Sequence, residues 1–331
     1  MIEPVGADDI DRLEPLWLIL HAHHQATARE LAPYVDDGAS WTARRALYFE
    51  LLAGGGFGFV ARCAGVELGY AFVGREHAAW PATFVEAPAA AELETLLVRP
   101  EARGRGLGAA LLAAVDDEAA TRGLHEARVG VMPQNARATA LYERNGYVPT
   151  WLIQTRFGWR GTPSPPAEPI ADVAAEELDA LKPLWLALHR HHQDVAPQLG
   201  PYLDDERSWE AIRAILGANL ERGLVLRAGP AHDPSGFTCV TIARDDVLWA
   251  DTWVTSRDVA EVALLSVAPD ARGQGIGTAL LDAVDCRLAV LGIADQAIGA
   301  IEQNARPIAL YASRAFRPTW LRLRRTASPA S

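Results

Sequence analysis

Arg103-Gly104-Arg105-Gly106-Leu107-Gly108 follows the expected strand Leu93–Val98 and runs into the helical pattern Ala109–Val115. Glycine at every second position lets the backbone turn its N–H groups inward, and the helix start adds the positive end of its dipole. Such a bend cradles a pyrophosphate, and arginine side chains add charge-assisted bonds at its rim. The bend recurs as Arg272-Gly273-Gln274-Gly275-Ile276-Gly277. A nucleoside-triphosphate loop needs Gly-Lys followed by Ser or Thr, and neither bend contains a lysine. A dinucleotide site read from Gly104, Gly106 and Ala109 lacks the acidic residue required at the end of the next strand, about 20 residues further on. A ligand-free helix entry would explain one copy. It explains poorly two copies that are each followed, at equal spacing, by an asparagine and a tyrosine: Asn135 and Tyr142, Asn304 and Tyr311.

The elements that position these residues are themselves duplicated. LEPLWLILHAHHQ from Leu13 and LKPLWLALHRHHQ from Leu181 agree at ten of thirteen positions, offset by 168. The offset becomes 169 for the blocks starting at Val98 and Val267 and for those starting at Asn135 and Asn304. A period of a whole domain excludes a solenoid of short stacked repeats. The proline-rich stretch Arg160–Pro169 reads as an extended linker, so two domains are expected, at 1–160 and 166–331.

In the first copy, Leu13, Leu16, Trp17, Leu20 and His24 recur at helical spacing, with His21 and His23 on other faces. A second helix is expected from Ser40, taken as its N-cap, to Leu52. Strands follow at 57–62, 66–73 and 93–98, then helix 106–121, strand 127–131 and helix 135–144. This order predicts an α/β fold in which each domain is a mixed central sheet flanked by helices.

Half of the 331 residues are apolar and mean hydropathy is +0.01, which fits a chain that folds in water. The net charge of −11 repels a phosphate backbone and disfavours nucleic acid as a partner. Lys182 is the sole lysine, so the abundance of arginine reads first as coding bias. Cys63, Cys239 and Cys286 form no C-x-x-C pair, which suggests neither a zinc site nor a disulfide framework and fits a reducing cytoplasm. No leader and no membrane-length apolar run is read.

V-x-P-x-x-R-G-x-G-x-G, followed by N-x-x-A-x-x-L-Y-x-x-x-G-[FY], resembles motifs A and B of the GNAT superfamily of N-acetyltransferases across nearly all of both halves. The resemblance implies a tandem arrangement, with acetyl-CoA or another acyl-CoA as co-substrate and no metal. It implies that the strand Leu96-Leu97-Val98, like Leu265-Ser266-Val267, splays from its neighbour so that free amides align the pantetheine and polarise the thioester. The bend Arg103, Gly104, Arg105, Gly106, Leu107 and Gly108 would hold the pyrophosphate, as would Arg272, Gly273, Gln274, Gly275, Ile276 and Gly277. By the same resemblance Asn135 and Asn304 contact the pantetheine, and Tyr142 and Tyr311 protonate the departing thiolate.

An amine acceptor needs a base. Glu94 matches the family's position for one, whereas its counterpart is Ala263; the alternative for Glu94 is a solvated strand carboxylate. Strand alternation keeps Glu92 and Glu94 on one face. The second copy also carries Ala315 in place of Gly146, so the first copy is expected to turn over and the second to retain CoA binding, the alternative being that the second works with another base. The triplets His21, His23, His24 and His189, His191, His192 end the first helices. They are read as cations satisfied at a helix C-terminus, as acceptor-orienting groups (His21, His24, His189 and His192) or, least, as metal ligands. Asp36-Asp37 and Asp204-Asp205 read as solvated turns before charge for a cationic amine, and Trp17, Trp41, Trp185 and Trp209 as core. The expected partner is a small-molecule or peptide amine, bound by a monomer or homodimer. The alternative is an acyl-CoA-binding regulatory protein without turnover.

Overall fold

The computed structural model describes all residues except 32, 77–81, 86, 88, 245–248, 250, 257 and 327–331. The first half runs β1 (Ile2–Pro4), α1 (Glu14–Thr27), α2 (Asp37–Ala53), β2 (Phe57–Cys63), β3 (Val66–Glu76), β4 (Ala90–Val98), α3 (Leu107–Thr121), β5 (Glu126–Val131), α4 (Ala136–Arg144) and β6 (Val148–Arg156). The second repeats it as β7 (Ile170–Asp172), α5 (Lys182–Val195), α6 (Asp205–Arg222), β8 (Leu224–Ala228), β9 (Gly236–Arg244), β10 (Asp258–Val267), α7 (Ile276–Leu291), β11 (Asp295–Ile301), α8 (Ala305–Ser313) and β12 (Arg317–Thr326). The mixed sheet flanked by helices is the architecture expected from the sequence. The closing strands β6 and β12 are not among the expected elements.

Those two strands join the halves. A single sheet of twelve strands runs in the order β1-β2-β3-β4-β5-β12-β6-β11-β10-β9-β8-β7. The last strand of each half therefore pairs with the other half: β12 lies between β5 and β6, and β6 between β12 and β11. Arg156 at the end of β6 forms a buried ion pair with Asp285 of α7, and Arg325 near the end of β12 forms the matching pair with Asp116 of α3. Each guanidinium also lies 4.6 Å from an aromatic ring centroid, Arg156 over Phe316 and Arg325 over Tyr147. Residues 159–166, between the halves, carry no regular element.

Both sheet faces are covered. Leu111, Leu112 and Val115 of α3 pack on Ala71, Leu93, Val129 and Leu323, while Trp17 of α1 and Tyr48 of α2 pack on Val60, Phe72 and Leu97 of the opposite face. Trp17 and Trp185 are fully buried, and Trp41 and Trp209 nearly so. Their apolar spacing along the helices fixes which side faces the sheet.

The expected N-cap at Ser40 is corrected. Asp36 caps α2 by accepting from the Ala39 N–H at 2.9 Å, and Asp204 caps α6 by accepting from the Arg207 N–H at 3.0 Å. An aspartate carboxylate in extended backbone reaches the free N–H groups of the first turn, so these acidic residues serve the helices. Ser40 is buried one turn inside, where its hydroxyl accepts from Trp17 Nε1 at 2.9 Å and donates to the Asp251 carbonyl at 2.5 Å. Ser208 repeats this with Trp185 and the Ala82 carbonyl.

The histidines divide by depth rather than by helix end. His21 and His189 are fully buried, with Nε2 3.0 Å from the Val35 carbonyl and 2.8 Å from the Leu203 carbonyl. They tie α1 and α5 to the loops that follow, which places them in the packing and not on a cleft wall. His24 and His192 pack edge-on to Trp320 and Trp151 of the exchanged strands, at 6.0 and 5.6 Å. Burial holds each imidazole neutral, lowering its pKa to about 3, with the neighbouring Arg44 adding to the effect at His24 and His191 at His192.

Two stability predictions follow from these contacts. Ala315 occupies a left-handed conformation at φ +66°, where the first half has Gly146 at φ +81°. A Cβ in this region is strained, so Ala315→Gly should raise stability by about 0.5–1 kcal/mol in denaturant unfolding. Gly146→Ala should lower it, its new Cβ lying 3.3 Å from Arg325 Cδ. His192 titrates near 3 when folded but near 6.5 when unfolded, so its contribution is present above pH 6.5 and is lost as pH falls toward 3. His192→Gln should remove about 2 kcal/mol of the stability loss between pH 6.5 and 5. An unchanged pH slope would show that the imidazole is not held neutral.

Candidate active site

The glycine bends impose the first requirement. Gly104 and Gly106 sit at φ +79° and +81°, and Gly273 and Gly275 at +83° and +87°, so both bends have one conformation that side-chain-bearing residues avoid. Gly106 and Gly275 are the N-caps of α3 and α7, without a side-chain cap. The first N–H groups of each helix therefore remain available to an anion. A Cβ placed on Gly104 or Gly106 meets nothing within 4 Å, so the bend is open on its outer side. Gly108 is closed in: a Cβ there would lie 3.3 Å from Leu141 Cδ2.

Arg103 does not simply project toward the rim. Its Nε donates to the Val98 carbonyl at 2.9 Å, and Arg272 repeats the bond to Val267 at 3.3 Å. The arginine thus fastens the bend to the end of the strand, leaving the remainder of its guanidinium for the rim. Gln274 likewise turns back, donating to the Asp270 carbonyl at 3.1 Å.

The strand ends part as the resemblance implied. β4 pairs with β5 in parallel only over Ala91–Leu93 against Ala127–Val129, and β10 with β11 only over Val259–Val262 against Asp295–Ile298. The segments Leu96–Val98 and Leu265–Val267 lie beyond these pairings. A bulge starts the divergence: Leu93 faces Val73 and Thr95 faces Phe72, which leaves Glu94 as the extra residue, while Ala263 is the extra residue in β10. Here strand alternation fails, because a bulge sets successive side chains on one face. Glu94 and Thr95 both reach toward Arg44 of α2.

In the second half this geometry encloses a cleft of about 500 Å³. Its walls include Leu265, Ser266 and Val267, the bend residues Arg272, Gly273, Gly275, Ile276 and Gly277, and Asn304, Tyr311 and His192. Trp151 of the exchanged strand β6 closes one side, so the first half contributes to the cleft of the second. Burial raises the pKa of Tyr311 and, in the first half, of Tyr142, so both phenols keep their protons at neutral pH. The Asn135 side-chain oxygen caps α4 by accepting from the Ala138 N–H at 3.2 Å. Asn304 instead has its Nδ2 3.2 Å from His191 Nε2.

Several residues were not assigned to the site from the sequence. His191 lines the cleft with its Nε2 3.2 Å from Asn304 Nδ2, and the Asn135 side chain interacts with His23, so the middle histidine of each triplet is the one beside the asparagine. Burial, followed by the Arg103 charge, lowers the pKa of His23. Arg306, in the first turn of α8, lines the cleft by Gly273, and Arg137 is its counterpart near Arg103. The shared Asn-Ala-Arg tripeptide was the available signal.

The floor of the first-half site is polar. Arg44 forms an ion pair with Asp251, a residue of the β9–β10 loop, and its Nη1 lies 3.9 Å from Glu94 Oε2 and 3.5 Å from Thr95 Oγ1. The Tyr48 hydroxyl joins this group at 2.8 Å from Thr95 Oγ1 and 2.9 Å from the Tyr70 hydroxyl. Burial raises the pKa of Glu94, with Arg44 opposing and Glu76 adding to the rise. Glu92, bonded to Arg322 of β12 at 2.9 Å, is pushed up to about 8 by burial. At the equivalent second-half positions stand Ile212 for Arg44, Leu216 for Tyr48, Phe237 for Tyr70, Ala263 for Glu94, Leu264 for Thr95 and Ala82 for Asp251.

Among the described residues no cluster of three or more His, Cys, Asp or Glu could hold a metal ion, and no helix is long and apolar enough to cross a membrane.

Comparison with known proteins agrees with this geometry. The profile of the Acetyltransferase (GNAT) family matches residues 23–147, and that of the Acetyltransferase (GNAT) domain matches residues 231–318. The chain is 30% identical over 203 residues to mycothiol acetyltransferase of Rhodococcus jostii, covering 58% of this chain and 59% of that protein. It is 29% identical over 235 residues to mycothiol acetyltransferase of Geodermatophilus obscurus, covering 67% and 69%. The matched stretch thus spans less than two thirds of the Rhodococcus protein. A GCN5-related N-acetyltransferase from Sphaerobacter thermophilus has the same fold over 100% of this chain and 96% of its own, with a TM-score of 0.60 at 16% identity. Two matched domains, two glycine bends and two splayed strand pairs place the chain in the GNAT family of N-acetyltransferases, in tandem form.

Proposed function

We propose that this acetyltransferase moves an acetyl group from acetyl-CoA to an amine at the first-half site, by direct attack in a ternary complex. The observation that carries this reading is the asymmetry of the two floors. Arg44, Tyr48, Tyr70, Glu94, Thr95 and Asp251 are polar in one half, and every counterpart in the other is apolar. Proton transfer needs a group that takes a proton near neutral pH, and Glu94, with its raised pKa, fits that need.

The roles follow from the chemistry. The amine nitrogen attacks the thioester carbonyl carbon, its proton passing to Glu94 through a water. The C–S bond then breaks and Tyr142 gives its proton to the departing thiolate. Free main-chain N–H groups of the splayed segment Leu96–Val98 stabilise the oxyanion, where donors of this kind supply several kcal/mol. The bend Gly104–Gly108 and Arg103 hold the diphosphate of CoA, with Arg137 beside them. The second half keeps the corresponding bend, asparagine and tyrosine and binds CoA without a base at position 263. The acceptor is a small-molecule or peptide amine. Its screening panel begins with the acceptor of mycothiol acetyltransferase, the activity for which two similar proteins are named.

Release of free thiol from acetyl-CoA across an amine panel tests this reading. Glu94→Gln should lower kcat by about 10²- to 10⁴-fold, and Tyr142→Phe should lower it comparably, with CoA affinity nearly unchanged in both. Gly106→Val should abolish turnover, whereas Gly275→Val should leave most of it. The reverse pattern for the two glycine variants would move the chemistry to the second half.

A further inference from the structure

Asp251 belongs to the second half by sequence and to the first-half site by position. Its loop, between β9 and β10, crosses onto the segment between α1 and α2, where the Val254 N–H donates to the Pro33 carbonyl at 2.9 Å and the Val35 N–H to the Thr252 carbonyl at 3.2 Å. The β3–β4 loop makes the mirror crossing, with Val85 donating to Pro201 and Leu203 to Thr83. Both crossings are pinned by the same relay: Trp17 to Ser40 to the Asp251 carbonyl, and Trp185 to Ser208 to the Ala82 carbonyl. The pin uses the backbone oxygen of residue 251, not its carboxylate. Ala82 shows that the crossing is held without a carboxylate at that position.

The carboxylate therefore has a separate use, and what it touches identifies it. It pairs with the Nη2 end of Arg44, whose guanidinium lies 4.2 Å from the Trp17 ring centroid and 5.7 Å from that of Tyr48. The opposite end, Nη1, stops 3.9 Å from Glu94, beyond hydrogen-bond distance. Thr252 donates to Asp251 Oδ1 at 2.8 Å and fixes the carboxylate.

We propose that Asp251 is a positioning residue for acyl transfer in the first half: reaching across from the second half, it holds Arg44 beside Glu94 without letting it close on that carboxylate, so that Glu94 stays available to take a proton. The proposal rests on the reading of Glu94 as the base. Glu94 is faced by Arg44 from α2, Asp251 from the crossing loop, Glu76 from β3, Glu92 from its own strand and Arg322 from β12. Burial raises its pKa, as do Glu76 and Asp251, while Arg44 and Arg322 lower it. Removing the Asp251 charge takes away one raising neighbour and frees Arg44 to pair with Glu94. Both changes stabilise the ionised carboxylate and weaken it as a base.

The test uses the full chain as Asp251→Asn, Asp251→Glu and Glu94→Gln, with Asp251→Ser as a second neutral variant. The Glu94 carboxyl is titrated by carbon NMR after glutamate labelling, its signal assigned by its loss in Glu94→Gln. The acid limb of kcat/KM is measured with acetyl-CoA and a turned-over amine from the panel. Asp251→Asn should move both midpoints down by about one unit, a tenfold change in proton affinity, and lower kcat about tenfold; Asp251→Glu should restore most of each. CoA affinity should stay within about twofold, since the partners of Asp251 are Arg44, Ser40 and Thr252, which belong to neither bend. Unmoved midpoints would overturn the proposal even if the rate fell, since that loss would be structural. If instead Glu94→Gln turned over normally, the assignment of the base would fail, and the carboxyl titration would still report on the coupling of Asp251 to Glu94.

Discussion

Main-chain pairing between the two closing strands is the constraint on which the rest of this molecule depends. β6 and β12 lie side by side at the centre of the sheet, each with its outer edge on the other half. Neither half can complete its sheet from its own strands in this arrangement. The buried Arg156–Asp285 pair secures one exchange and Arg325–Asp116 the other. Asp285 is shared with Arg314 at 2.8 Å, so the first of these pairs belongs to a buried network in which its carboxylate is held from two sides. Once the strands are exchanged, Trp320 lies against His24 and Trp151 against His192, so each half receives an aromatic side chain from the other, and in the second half Trp151 walls the cleft.

The two-fold arrangement also explains how duplication yields different halves on one scaffold. Glycine bends, bulged strands, split pairings and the Trp–Ser–carbonyl relays are kept in both. These are backbone devices, and they serve any chain that must open a strand pair and present N–H groups to a diphosphate. The side chains on the floor are free to diverge, and they have: a network of charge and hydroxyl in one half faces alanine, leucine, isoleucine and phenylalanine in the other. A buried polar network is costly unless its members satisfy one another, which is why Arg44 appears together with both Asp251 and Glu94.

Burial, rather than residue type, sorts the titratable groups. His21 and His189 serve as fasteners to backbone carbonyls, His24 and His192 are held neutral against tryptophan, and only His23 and His191 stand beside the cleft asparagines. Three histidines within four residues thus take three environments, because each step along the helix turns the side chain by about 100°. The paired aspartates show the same sorting in loops, where Asp36 and Asp204 meet the free N–H groups of a helix start.

The sequence alone determined what is local or repeated. Glycine spacing gave the bends because glycine adopts their positive φ without the strain that a Cβ brings. Apolar periodicity gave the helices and inner strands, and comparison of the copies exposed the Glu94–Ala263 difference. Tertiary structure decided everything that depends on contact between distant segments. The exchange of β6 and β12 is invisible to periodicity, since a strand pattern does not name its neighbour. The bulge at Glu94 overrides strict alternation through pairing with β3. Asp251 joins Arg44 from more than two hundred residues away, through a crossing loop whose own residues carry no mark of their destination.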